Sequence, residues 1–308
     1  VIGARGYAGS LALEALGERV RVRAAEPHDD LAAAMLGVEV VHVAAELRSP
    51  FERLRRGRRW QPHPLLVRVV GLAREAGVRR IVHLSSASAF GLARDGHVSE
   101  RTPPRPEHAY ERLLAGDEAW LRDQARPEVV VLRPAQPFGP GEPLLSALVR
   151  ALAAGRLALP GGGRARRTFL AGADLGRAFV AAALRGEPGG AYLVGGFEGS
   201  WRQLLVAAAM ELSLPPRIGW HSYDLAYLAA AARLPLSPVA AECWPTPFLV
   251  DVLGRSQVVE DGWSRRELSW RPEVLCFGDG LAGLAERSAA VAANPPVISP
   301  GPGAPSEA

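Results

Sequence analysis

The chain has 308 residues, 48% of them hydrophobic, enough to bury the core of one large α/β domain or of one domain with a smaller lobe. Its 36 basic residues exceed the 32 acidic ones by only four, and the charge is spread along the chain, which is weak support for a polyanionic partner. Every basic residue is arginine, so Schiff-base, P-loop-lysine and pyridoxal chemistry are excluded.

Two cysteines, Cys243 and Cys276, stand apart from each other and from the histidines, which fits a reducing compartment and argues against a structural metal. Cytoplasm is the expected location. No run of eighteen apolar residues occurs, and glycines interrupt the first segment where a leader would be apolar, so neither a membrane nor a nucleic-acid partner is expected. Because Val1 is not a methionine, we expect the chain to start several residues upstream.

In chain order, VIGARGYAGSLALEAL reads as the end of a strand, a glycine-rich turn and a helix. Residues 37–45 (GVEVVHVAA) read as a buried strand, LLVRVVGLAREAG as a helix, and residues 78–86 (VRRIVHLSS) as another strand. The rhythm continues with HAYERLLAGDEAWLRD as a helix, VVVLRP (129–134) as a strand and LLSALVRALAAG as a helix. Strands alternating with helices predict a doubly wound parallel sheet of the Rossmann type. The second half reads as a smaller, partly helical lobe, with a late helix from Gly278 to about Ala293. The expected division is 1–150 for the sheet domain and 151–293 for a mixed substrate-binding lobe with returning elements. Residues 294–308, rich in Pro, Gly, Ser and Ala, read as a disordered tail.

Gly3, Gly6 and Gly9 form GARGYAG between a strand and a helix, a spacing that lets a pyrophosphate approach backbone N–H groups at a helix N-terminus. Alone the triplet is weak, because a tight turn without a ligand uses the same residues. It is joined, in order, by GVEVVHVAA, HLSSASAFG, Tyr110, VLRPAQPFGPG and PGGGRARRTFLAGADLGRAF. Together these segments resemble the NAD(P)-dependent epimerase/dehydratase branch of the extended short-chain dehydrogenase/reductase superfamily, over roughly residues 1 to 290.

The resemblance implies an NADP or NAD site made by Gly3, Arg5, Gly6, Tyr7, Ala8 and Gly9 together with Val43, Ala44 and Ala45. It implies Ser86 as the hydrogen-bonding serine at the reacting oxygen and Tyr110 as the proton-transfer tyrosine. Substrate contacts are implied for Ser86, Gln136 and Arg167, the last as the arginine with which many nucleotide-sugar members hold a pyrophosphate. Glu118 stands where the family helix often carries an acid. No metal is implied, and a homodimer is left open.

Two departures mark the chain as divergent. Where the family has a lysine four residues after the tyrosine, this chain has Leu114, and Arg112 points about 200° around the helix, too far to replace it. Without that cation a phenol keeps its ordinary pKa of about 10 and serves better as a donor than as a base. Between the first helix and GVEVVHVAA there is also room for one strand–helix unit fewer than the family has. If RVRVRAA is the second strand, Glu26 can meet a ribose and Arg5, Arg21 or Arg23 a 2′-phosphate; if it is the third, Ala24 replaces an acid and the ribose-reading strand is absent. Cofactor binding is therefore expected to be weak or lost.

The functional expectation is an NAD(P)-dependent epimerase/dehydratase-like oxidoreductase acting on a small oxygenated metabolite, with a sugar nucleotide as one class. Its rivals are a non-redox isomerase, lyase or cyclase on the same scaffold, and a catalytically silent binding protein. Five arginines between positions 53 and 59 read as an exposed loop, with an anionic substrate or partner as the alternative.

Overall fold

The computed structural model describes residues 1–45, 60–91, 96–233 and 246–286. The first half holds α1 (Tyr7–Gly17), α2 (Leu31–Met35), β1 (Val40–Val43), α3 (Pro64–Glu75), β2 (Arg80–Leu84), β3 (His97–Ser99), α4 (Ala109–Arg122), β4 (Glu128–Pro134), β5 (Gln136–Phe138) and α5 (Pro143–Ala153). The second half holds β6 (Ala158–Pro160), β7 (Arg166–Ala171), α6 (Gly172–Arg185), β8 (Ala191–Val194), β9 (Phe197–Ser200), α7 (Trp201–Glu211), β10 (Gly219–His221), α8 (Tyr223–Arg233), α9 (Pro247–Gly254), β11 (Val258–Glu260), α10 (Gly262–Glu267) and α11 (Phe277–Gly280). The aromatic-rich stretch 218–234 begins as β10 and α8, and the predicted late helix from Gly278 is interrupted, since α11 ends at Gly280 and Gly283 takes φ +77°; the residues after 286 lie outside the described ones.

The main sheet is parallel throughout, in the order β1-β2-β4-β8, with Val40 opposite Arg80, Arg80 opposite Glu128 and Val131 opposite Ala191. Its strands are apolar on both faces because both are covered. Ala8, Ala12 and Leu16 of α1 and Phe179 of α6 pack against Val82, Val130 and Leu132 on one face. On the other, Leu66, Val69 and Val70 of α3 and Leu121 of α4 pack against Val41, Ile81 and Val131.

Ile2 extends the sheet beyond β1, bridging Val43 on one side and Ala25 on the other, both in parallel. RVRVRAA therefore supplies the second strand position, beside the first, and not the third. The chain then passes through α2 directly into β1, one strand–helix unit shorter than the family plan. This brief crossover is stabilised by side chains: Asp30 caps the start of α2, and the Arg23 guanidinium donates to the carbonyls of Ala33, Ala34 and Leu36 at its end.

A second sheet, β5-β7-β9, lies under α5, α7 and α9. Phe138, Phe169, Trp201 and Phe277 meet there edge-to-face, with ring centroids 5.1–6.1 Å apart. Between these pieces the chain returns to the main sheet: α6 packs on α1, and β8 forms the sheet's edge. Arginines 53–59, Cys243 and residues 294–308 lie outside the described residues. Among the described residues no helix is long and apolar enough to cross a membrane.

Candidate functional site

In a parallel sheet all carboxyl ends open on one edge, and loops there gather the chemistry. The segments following Ile2, β1, β2 and β4 carry the glycine turn, Ala44–Ala45, Ser86 and Gln136, so the topology brings four of the predicted motifs to one edge.

The glycine turn has the shape an anion needs. Gly3 has φ +80°, and a Cβ there would lie 2.6 Å from Ala45 Cα, which seats Ala45 directly against the turn. At Gly9 a Cβ would fall 1.9 Å from the Gly3 carbonyl oxygen, so only glycine lets the first helical turn come this close. Gly6 is the N-cap of α1 and has no side chain to cover the helix end, which lets an anion approach it. These features fit the pyrophosphate of a dinucleotide. Ala8 is buried beneath the turn, and the Tyr7 phenol reaches inward to donate to the Phe138 carbonyl at 2.9 Å.

Val43 corrects a sequence-based expectation in part. Its side chain is fully buried in the core beneath α3, so only its backbone is near the cofactor edge. Glu26 follows the second strand, and its Oε1 accepts from the Arg5 backbone N–H at 2.9 Å. The acid is thereby set beside the turn. Arg23 is occupied at α2, and Arg21 and Arg23 both line a cavity of about 1000 Å³ whose lining includes neither the glycine turn nor Ser86 nor Tyr110.

Ser86 follows β2 and caps a 3-10 turn, Ala87–Phe90, its Oγ accepting from the Ser88 N–H at 3.1 Å. That turn packs against α4, which carries Tyr110 in its first turn. Tyr110 is half-buried, its ring tilted against Phe248 of α9 at 4.9 Å between centroids. Leu114, one turn later, is buried, so α4 brings an apolar surface where the family lysine stands.

Behind these residues lies a polar network. The Glu118 carboxylate accepts from the Ser85 hydroxyl through one oxygen and from Arg133 through the other, with Arg133 Nε at 2.9 Å. The Arg133 guanidinium lies 4.6 Å over the Phe90 ring. Glu118 is 2% exposed, so this ion pair is desolvated, and it joins the serine turn, the tyrosine helix and β4. The acid at Glu118 was visible in the sequence, whereas its partners were not.

Arg167 also departs from expectation. It is 3% exposed and committed to protein, with Nη2 donating to Gln257 Oε1 at 2.8 Å and Nη1 to the Arg255 carbonyl at 3.3 Å, while Nε has no protein partner. Burial lowers its pKa to about 10, with the nearby Asp251 charge opposing the shift, so the guanidinium stays cationic at neutral pH. Gln257 in turn donates to the Gly91 carbonyl at 3.3 Å, linking Arg167 to the end of the serine turn. Gln136 is half-buried and spends its amide on the Pro137 carbonyl at 3.1 Å. Among the described residues no group of three or more His, Cys, Asp or Glu is placed to hold a metal ion.

Several known proteins are similar to this chain. The chain is 31% identical to the dTDP-D-glucose 4,6-dehydratase of Mus musculus over 144 residues, which is 44% of this chain and 41% of that one. It spans about half the length of the curated relatives it matches, or less. A nucleoside-diphosphate-sugar epimerase from Pseudomonas aeruginosa superposes with a TM-score of 0.70 at 20% identity, covering 96% of this chain and 97% of that one. A UDP-glucuronic acid 4-epimerase from Bacillus cereus, in complex with UDP-glucuronic acid and NAD, superposes with a TM-score of 0.69 at 16% identity, covering 94% and 98%. At such identities the superpositions speak for the fold alone. The family's sequence profile matches residues 1–195, and the chain belongs to the NAD dependent epimerase/dehydratase family.

Proposed function

We propose that the chain is an NAD-dependent oxidoreductase or epimerase acting on a hydroxyl or carbonyl of a sugar nucleotide, with Ser86 and Tyr110 at the reacting oxygen. The observation that carries this reading is the glycine turn, whose uncapped helix end and seated Ala45 suit a dinucleotide. The sugar-nucleotide class follows from the relatives, including the B. cereus enzyme in complex with UDP-glucuronic acid. Glu26 beside the turn favours NAD, because a carboxylate hydrogen-bonds a ribose hydroxyl and repels a 2′-phosphate. The mixed lobe of residues 151–293 supplies the substrate side.

A bound nicotinamide supplies hydride acceptance and return. The protein then has to hold and orient one oxygen and move one proton. Ser86 donates a hydrogen bond to that oxygen, and the Tyr110 phenol, eight residues before Glu118 on the same helix, holds the proton. With Leu114 in place of lysine, the position one turn after Tyr110 offers no cation to stabilise a phenolate, so donation to a carbonyl oxygen is favoured over abstraction from an alcohol. The same leucine favours a second reading, in which Ser86 and Tyr110 polarise a carbonyl without net redox change.

The deciding experiment incubates the protein with NAD and UDP-glucose, UDP-glucuronic acid or dTDP-glucose. Product is followed by NMR, and reduced nicotinamide by absorbance. Conversion that disappears in Ser86→Ala and Tyr110→Phe supports the proposal. Conversion that survives both substitutions, or that proceeds without NAD, contradicts it, the latter in favour of the second reading.

A further inference from the structure

The start of α4 is held from outside its own helix. Asp251 of α9, 2% exposed, places Oδ2 2.8 Å from His108 Nε2, at the residue that precedes α4. Its Oδ1 accepts from the Tyr223 hydroxyl of α8, and Arg255 Nη1 lies 3.6 Å from Oδ2. One turn earlier on α9, Phe248 lies 4.9 Å from the Tyr110 ring and 5.6 Å from the His108 ring. The α8–α9 layer thus grips the α4 N-terminus twice, once by charge and once by an aromatic face.

This grip falls where a helix is weakest. The first turn of a helix frays most readily, and Tyr110 is the second residue of α4, so movement of that turn moves the phenol. From within, the Glu111 carboxylate accepts from the Glu107 and His108 N–H groups at 2.7 and 3.0 Å. Leu114 adds no polar tie from the next turn. Asp251 adds a polar fixture from outside the helix. A buried carboxylate with three donors around it costs desolvation, and its return is a specific geometry more than stability.

We propose that Asp251, acting through His108, is a positioning residue for Tyr110: docking of the α8–α9 layer sets the direction of the phenol. This rests on Tyr110 being the proton-handling residue. Burial and the hydrogen bond to Asp251 both raise the pKa of the Tyr223 phenol, which keeps it a donor and the clasp intact.

The test uses the full chain, with Asp251→Asn and His108→Gln made singly and together. Amide hydrogen exchange at residues 108–113 should rise about tenfold in either single variant, with residues 118–122 nearly unchanged, and the double variant should add little, since both residues form one tie. With NAD and whichever of the three nucleotide sugars wild type converts, kcat should fall about tenfold at nearly constant KM. Unchanged exchange at 108–113, or losses that multiply in the double variant, would overturn the proposal. Should Asp251→Asn loosen α8 and α9 as a whole, His108→Gln decides, because it leaves the Tyr223 bond in place. If Tyr110→Phe proves fully active, the reading of Tyr110 fails, while the exchange result still answers whether Asp251 orders this turn.

Discussion

The N-termini of α1 and α4 face the same edge of the sheet and are built in opposite ways. That of α1 has no side-chain cap, no acid in its first turn, and a glycine where a Cβ would strike backbone at 1.9 Å. That of α4 is tied down from both sides, by Glu111, which accepts from the His108 N–H, and by Asp251, which holds the His108 ring. A helix end without a covering side chain offers its N–H groups and partial positive charge to an anion, whereas an end tied to its surroundings on both sides serves to aim a side chain. The first is a binding device and the second a positioning device, and the two make different demands on sequence.

Breaking the α4 side at its chemistry should have the largest effect. Tyr110→Phe or Ser86→Ala is expected to lower turnover by about 10²–10⁴-fold while leaving NAD affinity within a few-fold, measured by steady-state kinetics and calorimetry. Loss of NAD affinity to the same degree would show that the two ends are not separable. Next comes the network that joins the serine turn to α4. Glu118→Gln leaves Arg133 buried and uncompensated, so urea unfolding should show a loss of about 3–5 kcal/mol, with Ser86 and Tyr110 activity falling alongside. A loss below about 1 kcal/mol would mean that the ion pair is solvated in solution.

Each helix layer also buries a histidine in the sheet beneath it. His42, edge-on to Phe179 beneath α6, has its pKa lowered by burial to about 3, and His83, on the α4 side, to about 4. For His83 burial is the main cause, with Asp117 pulling the value up and His63 pushing it down. An unfolded imidazole titrates near 6.5, so the unfolded chain gains protons first as pH falls. The stability held above pH 6.5 should therefore be lost progressively toward pH 4, by about 3 kcal/mol for His83. In His83→Leu the unfolding free energy should depend less on pH across that window, and an unaltered slope would contradict the assignment.

The smallest expected effect sharpens the α1 side. Glu26→Ser removes the charge that opposes a 2′-phosphate, so the ratio of NAD to NADP affinity should shift toward NADP by about tenfold, or 1.4 kcal/mol. An unchanged ratio would leave Glu26 as no more than a cap for the Arg5 N–H.

The binding device was the more legible of the two in the sequence, because it is local. Gly3, Gly6 and Gly9 lie within seven positions of one another, and their spacing states a backbone geometry. The parallel sheet was legible for the same reason: β1, β2 and β4 are continuous apolar runs separated by helices with their own periodicity. The strand ending at Ala25 was left open because charged arginines alternate along it, and only its pairing with Ile2 decided its place. The positioning device was invisible, since His108 and Asp251 are 143 residues apart and neither belongs to a motif. Arg167 misled in the opposite sense, as a motif arginine whose burial against Gln257 and the Arg255 carbonyl no local pattern announces.

Titration calorimetry with NAD and NADP tests most directly whether the start of α1 is an anion site. Wild type should bind NAD with measurable heat and more tightly than NADP, and Gly9→Ala, whose added methyl has no room against the Gly3 carbonyl, should bind neither. No heat from either cofactor at millimolar concentration, or equal binding by wild type and Gly9→Ala, would contradict it.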